Sequence, residues 1–235
     1  MNKQEILQKN AKKWGASLVA FSNLNGVLPD NLKDLPYGMT IVIKLSDRII
    51  DEIKDKPTYT YFHHYRSVNT LIDQITLRMV LMIEEFGYNA LAVPASQSIA
   101  ELGEYRGLFQ HKTAATRAGI GWIGKNDLLI TEKYGPRVRL GTVLTDMPFK
   151  TGIPIVESKC GDCSLCVKSC PAMALNGYKW EEGIERSKIL DARACSEYMK
   201  KNYQHIGRGS VCGICMRVCP YGKKTDITKT AKIKT

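Results

Sequence analysis

The sequence predicts an α+β protein in two parts, on three observations. Helical and strand patterns interleave over residues 1–150, the last two strand-like runs of that stretch read as a hairpin, and all eight cysteines lie after residue 159. A mixed sheet of α/β type is the variant reading of the first part. The expected division is an α/β domain over residues 1–150, a cysteine-bearing domain over 151–222 and a basic tail over 223–235. The stretch from Met147 through Pro148 and Gly152 to Pro154 reads as the connection.

Each element has a local cause. Lys3–Trp14 carries a helical pattern and Ser17–Phe21 a strand. Thr40–Leu45 is rich in β-branched residues and reads as a strand. Val68, Leu71, Ile72, Ile75, Met79, Met82, Ile83 and Phe86 recur at helical spacing, and Gly87 supplies the stop. The methionines of this helix are core filler. Asn89–Val93 is a strand and His111–Ala118 a helix ended by Gly119. Leu128–Thr131 and Val138–Leu144 are the expected hairpin, joined through Tyr134, Gly135 and Pro136. His63, His64 and Tyr65 sit with Tyr59 and Tyr61 in an aromatic stretch, where surface or hydrogen-bonded histidines are the default.

Composition narrows the function. The polar N-terminus lacks the apolar core and cleavage site of a signal peptide, and the longest apolar run, Met79–Ile83, is too short to span a bilayer. A cytoplasmic protein with no membrane partner is expected, in a compartment where cysteines stay reduced and serve metals or catalysis. The net charge is +11, and Tyr221–Thr235 alone, with five lysines and one aspartate, carries +4. A solvated basic surface with a lysine tail accounts for most of it.

The cysteines carry the chemistry. Cys160, Cys163, Cys166 and Cys170 follow the spacing C-x2-C-x2-C-x3-C, with Pro171 next, which is the ligand run of bacterial ferredoxins. Three close cysteines wrap a loop around one cuboidal cluster, and the fourth is carried off to another. Cys195, Cys212, Cys215 and Cys219-Pro220 form the second half, and Asp191 is placed to cap the helix bearing Cys195. The crossed arrangement predicts one 4Fe-4S cluster on Cys160, Cys163, Cys166 and Cys219. It predicts a second on Cys170, Cys195, Cys212 and Cys215. Two four-cysteine zinc sites could use the same residues but do not need this run, and a disulfide framework conflicts with a reducing compartment. Two clusters form a one-electron relay and contribute roughly −4 of charge, leaving roughly +3 on the body of the protein.

Gly119-Ile120-Gly121-Trp122-Ile123-Gly124-Lys125-Asn126 contains G-x-G-x-x-G and misses a phosphate loop only at Asn126. Both patterns need a strand before and a helix after, and here the order is inverted, so nucleotide binding is not expected. The glycines permit either tight turns or backbone approach to a bulky group. Arg137 and Arg139 alternate on one strand and share a face, where they could meet carboxylate, phosphate or amide groups or simply solvent.

The run from His111 and Lys112 through Gly119, Gly121, Trp122, Gly124, Lys125 and Asn126 to Ile130 resembles the epoxyqueuosine reductase family. So do Leu140-Gly141-Thr142 through Asp146 and the order of the cysteines. The resemblance covers roughly residues 85–222. Together with the related reductive dehalogenases, it implies a nitroreductase-like domain that binds a corrinoid, cobalamin, fed by two 4Fe-4S clusters. It places His111, Lys112, Gly119, Gly121, Trp122, Gly124, Lys125, Asn126, Arg137, Arg139, Gly141 and Thr142 around that cofactor. The family's Asp-Thr-Gly-Pro stretch, whose aspartate is its proton donor, has no counterpart here. Counting back without gaps lands on Tyr105, beside Glu104, whereas matching the preceding strand lands near Pro94–Ser96 and implies an insertion. Tyrosine is the acid in reductive dehalogenases, so Tyr105 is the candidate catalytic residue.

The chain resembles a short form that lacks the helical-repeat region following the clusters in longer members, which helps hold transfer RNA. The expected function is reduction of an unidentified substrate by a cobalamin that receives electrons through the two clusters. The expected partners are an electron donor such as ferredoxin or flavodoxin and a small-molecule substrate or corrinoid protein, with tRNA disfavoured. The alternatives are a two-cluster electron carrier or corrinoid-protein reductase, and an epoxyqueuosine reductase of the tRNA queuosine pathway.

Overall fold

The computed structural model describes residues 1–102 and 104–223. All of the expected basic tail except Lys223 lies outside them. Helix α1 (Lys3–Lys13) starts at a capping box, in which Asn2 Oδ1 accepts from Glu5 N at 2.8 Å and Glu5 Oε2 accepts from Asn2 N at 3.1 Å. Strands β1 (Leu18–Asn23) and β2 (Tyr37–Lys44) follow, then the short α2 (Asp47–Asp51) and the 27-residue α3 (Tyr59–Glu85). The periodic apolar face from Val68 onward is only the second part of α3. Its first turns are polar and aromatic, and they form because Thr58 Oγ1 accepts from Tyr61 N at 3.0 Å.

Strand β3 (Ala90–Val93) and helix α4 (His111–Arg117) precede the short strands β4 (Trp122–Ile123) and β5 (Leu129–Ile130) and the long β6 (Val138–Thr145). The main sheet has the order β1-β2-β6-β3, and every pairing is antiparallel. The mixed-sheet variant of the sequence reading is therefore replaced by a purely antiparallel one. The expected hairpin also does not form: β5 pairs with β4, while β2 and β3 occupy both edges of β6. The chain turns away because Thr131 and Gly135 exchange backbone hydrogen bonds of 3.0 and 2.8 Å, and Pro136, with no N–H to offer, leads out of that closed loop.

Alternation along β6 sorts the side chains. Arg139, Gly141 and Val143 face α3, whereas Thr142 and Leu144 face α4. The larger core lies between the sheet and helices α1 and α3, around Met39, Ile41, Ile72, Ile75 and Met79. A smaller core on the other face gathers Leu24, Val93, Phe109, Ala114 and Leu144. After β6 the chain runs into short helices α5 (Leu165–Lys168), α6 (Arg186–Ile189) and α8 (Ile214–Val218), with the longer α7 (Ala192–Gly207) between the last two. Asp191 Oδ1 accepts from Ala194 N at 2.9 Å and caps α7, the helix that carries Cys195. Trp122, Ile123 and Ile130 pack with Trp180, Ile189 and Cys219, joining the sheet domain to the cysteine-bearing segment. Burial of such large side chains contributes roughly 1.5–3 kcal/mol each. No helix among the described residues is long and apolar enough to cross a membrane.

Gly141 is demanded by packing, since a Cβ there would collide with Ile72 Cγ2 on α3. Gly141→Ala should therefore lower the unfolding free energy by about 1–3 kcal/mol. A urea titration should show an earlier midpoint at unchanged slope.

Candidate cluster and cofactor site

The eight thiols separate into two fours. Cys160, Cys163, Cys166 and Cys219 gather around a small space together with Lys125, Leu165 and Tyr221. Cys170, Cys195, Cys212 and Cys215 line a second, far larger cavity. The local folds explain the division. The loop before α5 presents Cys160 and Cys163, α5 itself carries Cys166, and Cys219 returns to them at the end of α8. Cys195 comes from the first turn of α7, and Cys212 and Cys215 flank the left-handed turn at Gly213 (φ 82°). Burial, and then neighbouring thiols, push Cys212 and Cys219 up to about 11 and raise Cys166, Cys195 and Cys215. Thiols held this way lose their protons on metal loading. Among the described residues, no three of His, Cys, Asp and Glu converge closely enough for a single metal ion.

The larger cavity has a volume of about 1170 Å³ and lies between the sheet domain and the cysteine segment. That exceeds the usual space for a drug-sized ligand. Its wall mixes apolar residues such as Leu108, Leu140 and Met199 with polar ones such as Ser96, Gln110 and Arg139. His111 stands on this wall with both ring nitrogens engaged. Nε2 donates to the Pro94 carbonyl at 3.0 Å, so Nδ1 accepts from the Thr142 hydroxyl at 2.9 Å. Burial drives its pKa down to about 4, so the ring is neutral near pH 7.

Arg139 donates from Nε to Asn69 Oδ1 at 2.9 Å and from Nη2 to the Ala95 carbonyl and Tyr65 hydroxyl, both at 3.3 Å. Its guanidinium also lies 4.4 Å from the centre of the Tyr65 ring. The Tyr65 hydroxyl shares a 3.1 Å hydrogen bond with Ser96 Oγ. Burial alone would raise the Tyr65 pKa, but Arg139 and the Ser96 bond together bring it below the ordinary tyrosine value.

Beside this lies a charge network. Lys112 pairs with the Asp127 carboxylate and donates to the Asp127 carbonyl at 2.7 Å. Arg186 of α6 donates from Nε to Asp127 Oδ2 at 3.0 Å and from Nη1 to the Tyr105 carbonyl at 3.1 Å. Burial pulls the Lys112 ammonium down against the pull of Asp127. Tyr105 lines the cavity with a left-handed backbone (φ 58°), a costly state for an aromatic residue, and the Arg186 bond helps hold it. Glu104 points to solvent and pairs with Arg193 Nη2 at 2.8 and 3.0 Å.

The remaining residues expected around the cofactor lie elsewhere. Of the twelve, His111, Lys112, Asn126 and Arg139 line the cavity. Thr142 touches it only through His111. Arg137 is buried in ion pairs with Asp47 at 3.1 Å and Asp51 at 2.7 Å, away from the cavity. Gly119, Gly121 and Gly124 serve close packing: a Cβ on them would strike the Ile153 carbonyl, the Ile130 carbonyl and Asn126 Oδ1 respectively. Trp122 is 1% exposed and meets the Tyr221 ring edge-on at 5.0 Å. Lys125 Nζ donates to the carbonyls of Gly161 and Cys163 at 2.9 and 3.0 Å, beside the first four thiols. Sequence reasoning gave no role to Tyr65, Asp127 or Arg186 and reached Ser96 only as the end of the Pro94–Ser96 alternative. Tyr65 was visible as part of an aromatic stretch, Asp127 only as a member of the His111–Ile130 run, and Arg186 carries no motif. His64 accepts from the Ser46 N–H at 3.0 Å, a structural role.

The buried neutral His111 makes a pH prediction. Its folded pKa lies below its unfolded value, so the unfolded chain binds the extra proton between about pH 6.5 and 4. This contribution is complete above pH 6.5 and is lost as the pH falls through that window. Unfolding at pH 7.5 and 5.5 should show a drop in wild-type stability that is smaller in His111→Gln.

Residues 159–222 match the family model described as a 4Fe-4S double cluster binding domain. The chain is 34% identical over 149 residues to epoxyqueuosine reductase of Listeria monocytogenes, covering 62% of this chain and 37% of that protein. It is 29% identical over 171 residues to epoxyqueuosine reductase of Pseudomonas aeruginosa, covering 68% and 41%. The chain thus spans about two fifths of these relatives. Among solved structures, a catabolic reductive dehalogenase in complex with 3-bromo-4-hydroxybenzoic acid matches at TM-score 0.73 and 20% identity, over 95% of this chain and 32% of that one. Epoxyqueuosine reductase from Streptococcus thermophilus matches at TM-score 0.65 and 22% identity, over 96% and 68%. These last two show a shared fold. Residues 159–222 are a 4Fe-4S double cluster binding domain, and the chain that carries them is epoxyqueuosine reductase-like in sequence and shares its fold with the reductive dehalogenases.

Proposed function

We propose that this chain is an iron–sulfur oxidoreductase that binds a corrinoid in the large cavity and delivers electrons to it through two clusters. The first is held by Cys160, Cys163, Cys166 and Cys219, the second by Cys170, Cys195, Cys212 and Cys215. The observation that carries the reading is that the second four thiols line the large cavity, while the first four gather around a separate small space beside Lys125. An electron donor such as a ferredoxin or flavodoxin would fill the relay from outside.

The cavity residues fit a corrinoid. The space is large, its wall offers scattered polar groups for peripheral amides, and His111 is fully engaged by Thr142 and Pro94, leaving no lining histidine free to ligate. When bound, the corrinoid would supply a low-valent cobalt reductant. The protein's own part is to hold and protonate. Arg139 and Lys112 present positive charge to the cavity side, and the strap around Tyr105 is clamped by Arg186. Two phenols are candidate proton donors: Tyr105 on the wall, and Tyr65, whose hydroxyl oxygen is tied to Ser96 and held by Arg139. Tyr65→Phe and Tyr105→Phe separate them, since unchanged turnover removes a tyrosine from the role.

Anaerobic reconstitution with iron and sulfide, followed by cobalamin titration under optical and paramagnetic-resonance detection, tests the reading. Uptake with the spectrum of cobalt lacking a lower nitrogen ligand is expected. Two intact clusters without uptake would leave a two-cluster electron carrier or a reductase of another corrinoid protein.

A tRNA-directed reading has its own support. The sequence relatives are named epoxyqueuosine reductases, and one structural neighbour was solved with an epoxyqueuosine-modified tRNA stem loop (TM-score 0.58, 20% identity). These findings weigh against the expectation that disfavoured tRNA. The same preparation distinguishes the two substrate classes. Binding of such a stem loop that depends on the modification, with a log affinity that falls linearly with log salt concentration, would assign the substrate to RNA. Weak binding indifferent to the modification would leave a small molecule.

A further inference from the structure

Lys125 stands where a phosphate loop would carry its lysine, in a segment whose element order rules that motif out. It is only 7% exposed, and among the described residues no carboxylate lies within ion-pairing distance of it. Its Nζ instead donates to the carbonyls of Gly161 and Cys163, in the loop that presents Cys160 and Cys163 and leads into α5, which carries Cys166. It also lines the small space that these thiols share with Cys219. Other cations near the clusters are treated differently. Lys112 and Arg186 share the Asp127 carboxylate, and Lys159 is 52% exposed and pairs with Glu132 at 3.4 Å.

A buried ammonium without a carboxylate is costly unless an anion lies beside it. Two carbonyl dipoles do not supply a full counter-charge. Four thiolates around an oxidised cluster core do, because the assembly carries a net negative charge that grows by one on reduction. We propose that Lys125 is the resident counter-ion of the first cluster and raises its reduction potential, so that an external one-electron donor fills this cluster readily. The inference rests on the two-cluster reading. The step it concerns is the uptake of one electron, in which the cluster is reduced, a ferredoxin- or flavodoxin-type donor is oxidised, and no covalent bond forms or breaks.

The physical reason is Coulombic. A positive charge fixed at close range, in a region shielded from water, stabilises the more negative oxidation state of its neighbour. Hydrogen bonding to the loop carbonyls is a second and separable role. Glutamine keeps an N–H donor at this position without the charge, and arginine keeps the charge.

The test is a redox titration of the anaerobically reconstituted full chain, followed by paramagnetic resonance, on wild type, Lys125→Gln and Lys125→Arg. Iron and sulfide analysis and the wild-type signals test the two-cluster reading independently. In Lys125→Gln with both clusters retained, one potential should fall and the other stay. The reduction equilibrium of that cluster should shift by roughly tenfold, about 59 mV for one electron. Lys125→Arg should stay near wild type. Loss of one cluster in Lys125→Gln with its retention in Lys125→Arg would likewise support the counter-ion role. Unchanged potentials in Lys125→Gln would overturn it and make Lys125 a clamp for the loop. Loss of the cluster in both variants would also overturn it, since shape rather than charge would then be required.

Discussion

The close approach of backbone around residues 119–127 is the constraint on which the site depends. The segment sits against Ile153 and Ile130 at distances that exclude a Cβ at Gly119 and Gly121. That contact fixes where three consecutive side chains go. Lys125 reaches the loop around the first four thiols. Asn126 Nδ2 donates to the Cys215 carbonyl at 3.3 Å, on the second four. Asp127, itself left-handed at φ 56°, gathers Lys112 and Arg186 at the cavity wall. A shift of this backbone by one residue would exchange the three destinations. The glycines therefore serve the two sets of thiols and the cavity together, by letting one short loop touch all three.

Strand β6 applies the same economy. Because its side chains alternate, Arg139 turns to α3 and Tyr65 while Thr142 turns to α4 and His111. Opposite faces of one strand thus fix two polar groups on one cavity. Each strand residue has a helix partner, Asn69 and Tyr65 on α3 for Arg139 and His111 on α4 for Thr142, and the carbonyls of Pro94 and Ala95 add loop contacts, so the wall is held largely by the same packing that buries Ile72 and Leu144. Loops supply the rest of the wall, and their strained member, Tyr105, is tied to the cysteine segment through Arg186.

What the sequence made legible follows from how local its causes are. The division of the cysteines could be read from spacing, because loop length decides which thiols can share a compact site. The capped helix at Asp191 and the buried face of α3 were legible for the same reason. The pairing of β5 was not, because a two-residue strand has no periodicity and its partner was hidden in a glycine run. Nor could sequence tell that Arg137 is consumed by Asp47 and Asp51, about ninety positions away, while Arg139 faces the cavity. Tyr65 and Arg186 were missed because long-range hydrogen bonds, and no motif, bring them to the site.

The charge of the chain takes on a different meaning once placed. A net +11 suggests an acidic partner, and an exposed basic surface would be read by such a partner only within about a Debye length. Several of these cations are not on the surface. Arg137, Lys112 and Lys125 are buried or nearly so, and only the first two have carboxylate partners. Thiols that become thiolates on metal loading would turn the interior negative, so interior cations are required before any surface function is considered. On the proposed counter-ion role, Lys125 is the part of the positive excess that complements the cysteines, and only the cations left on the surface are available to steer a substrate or an electron donor.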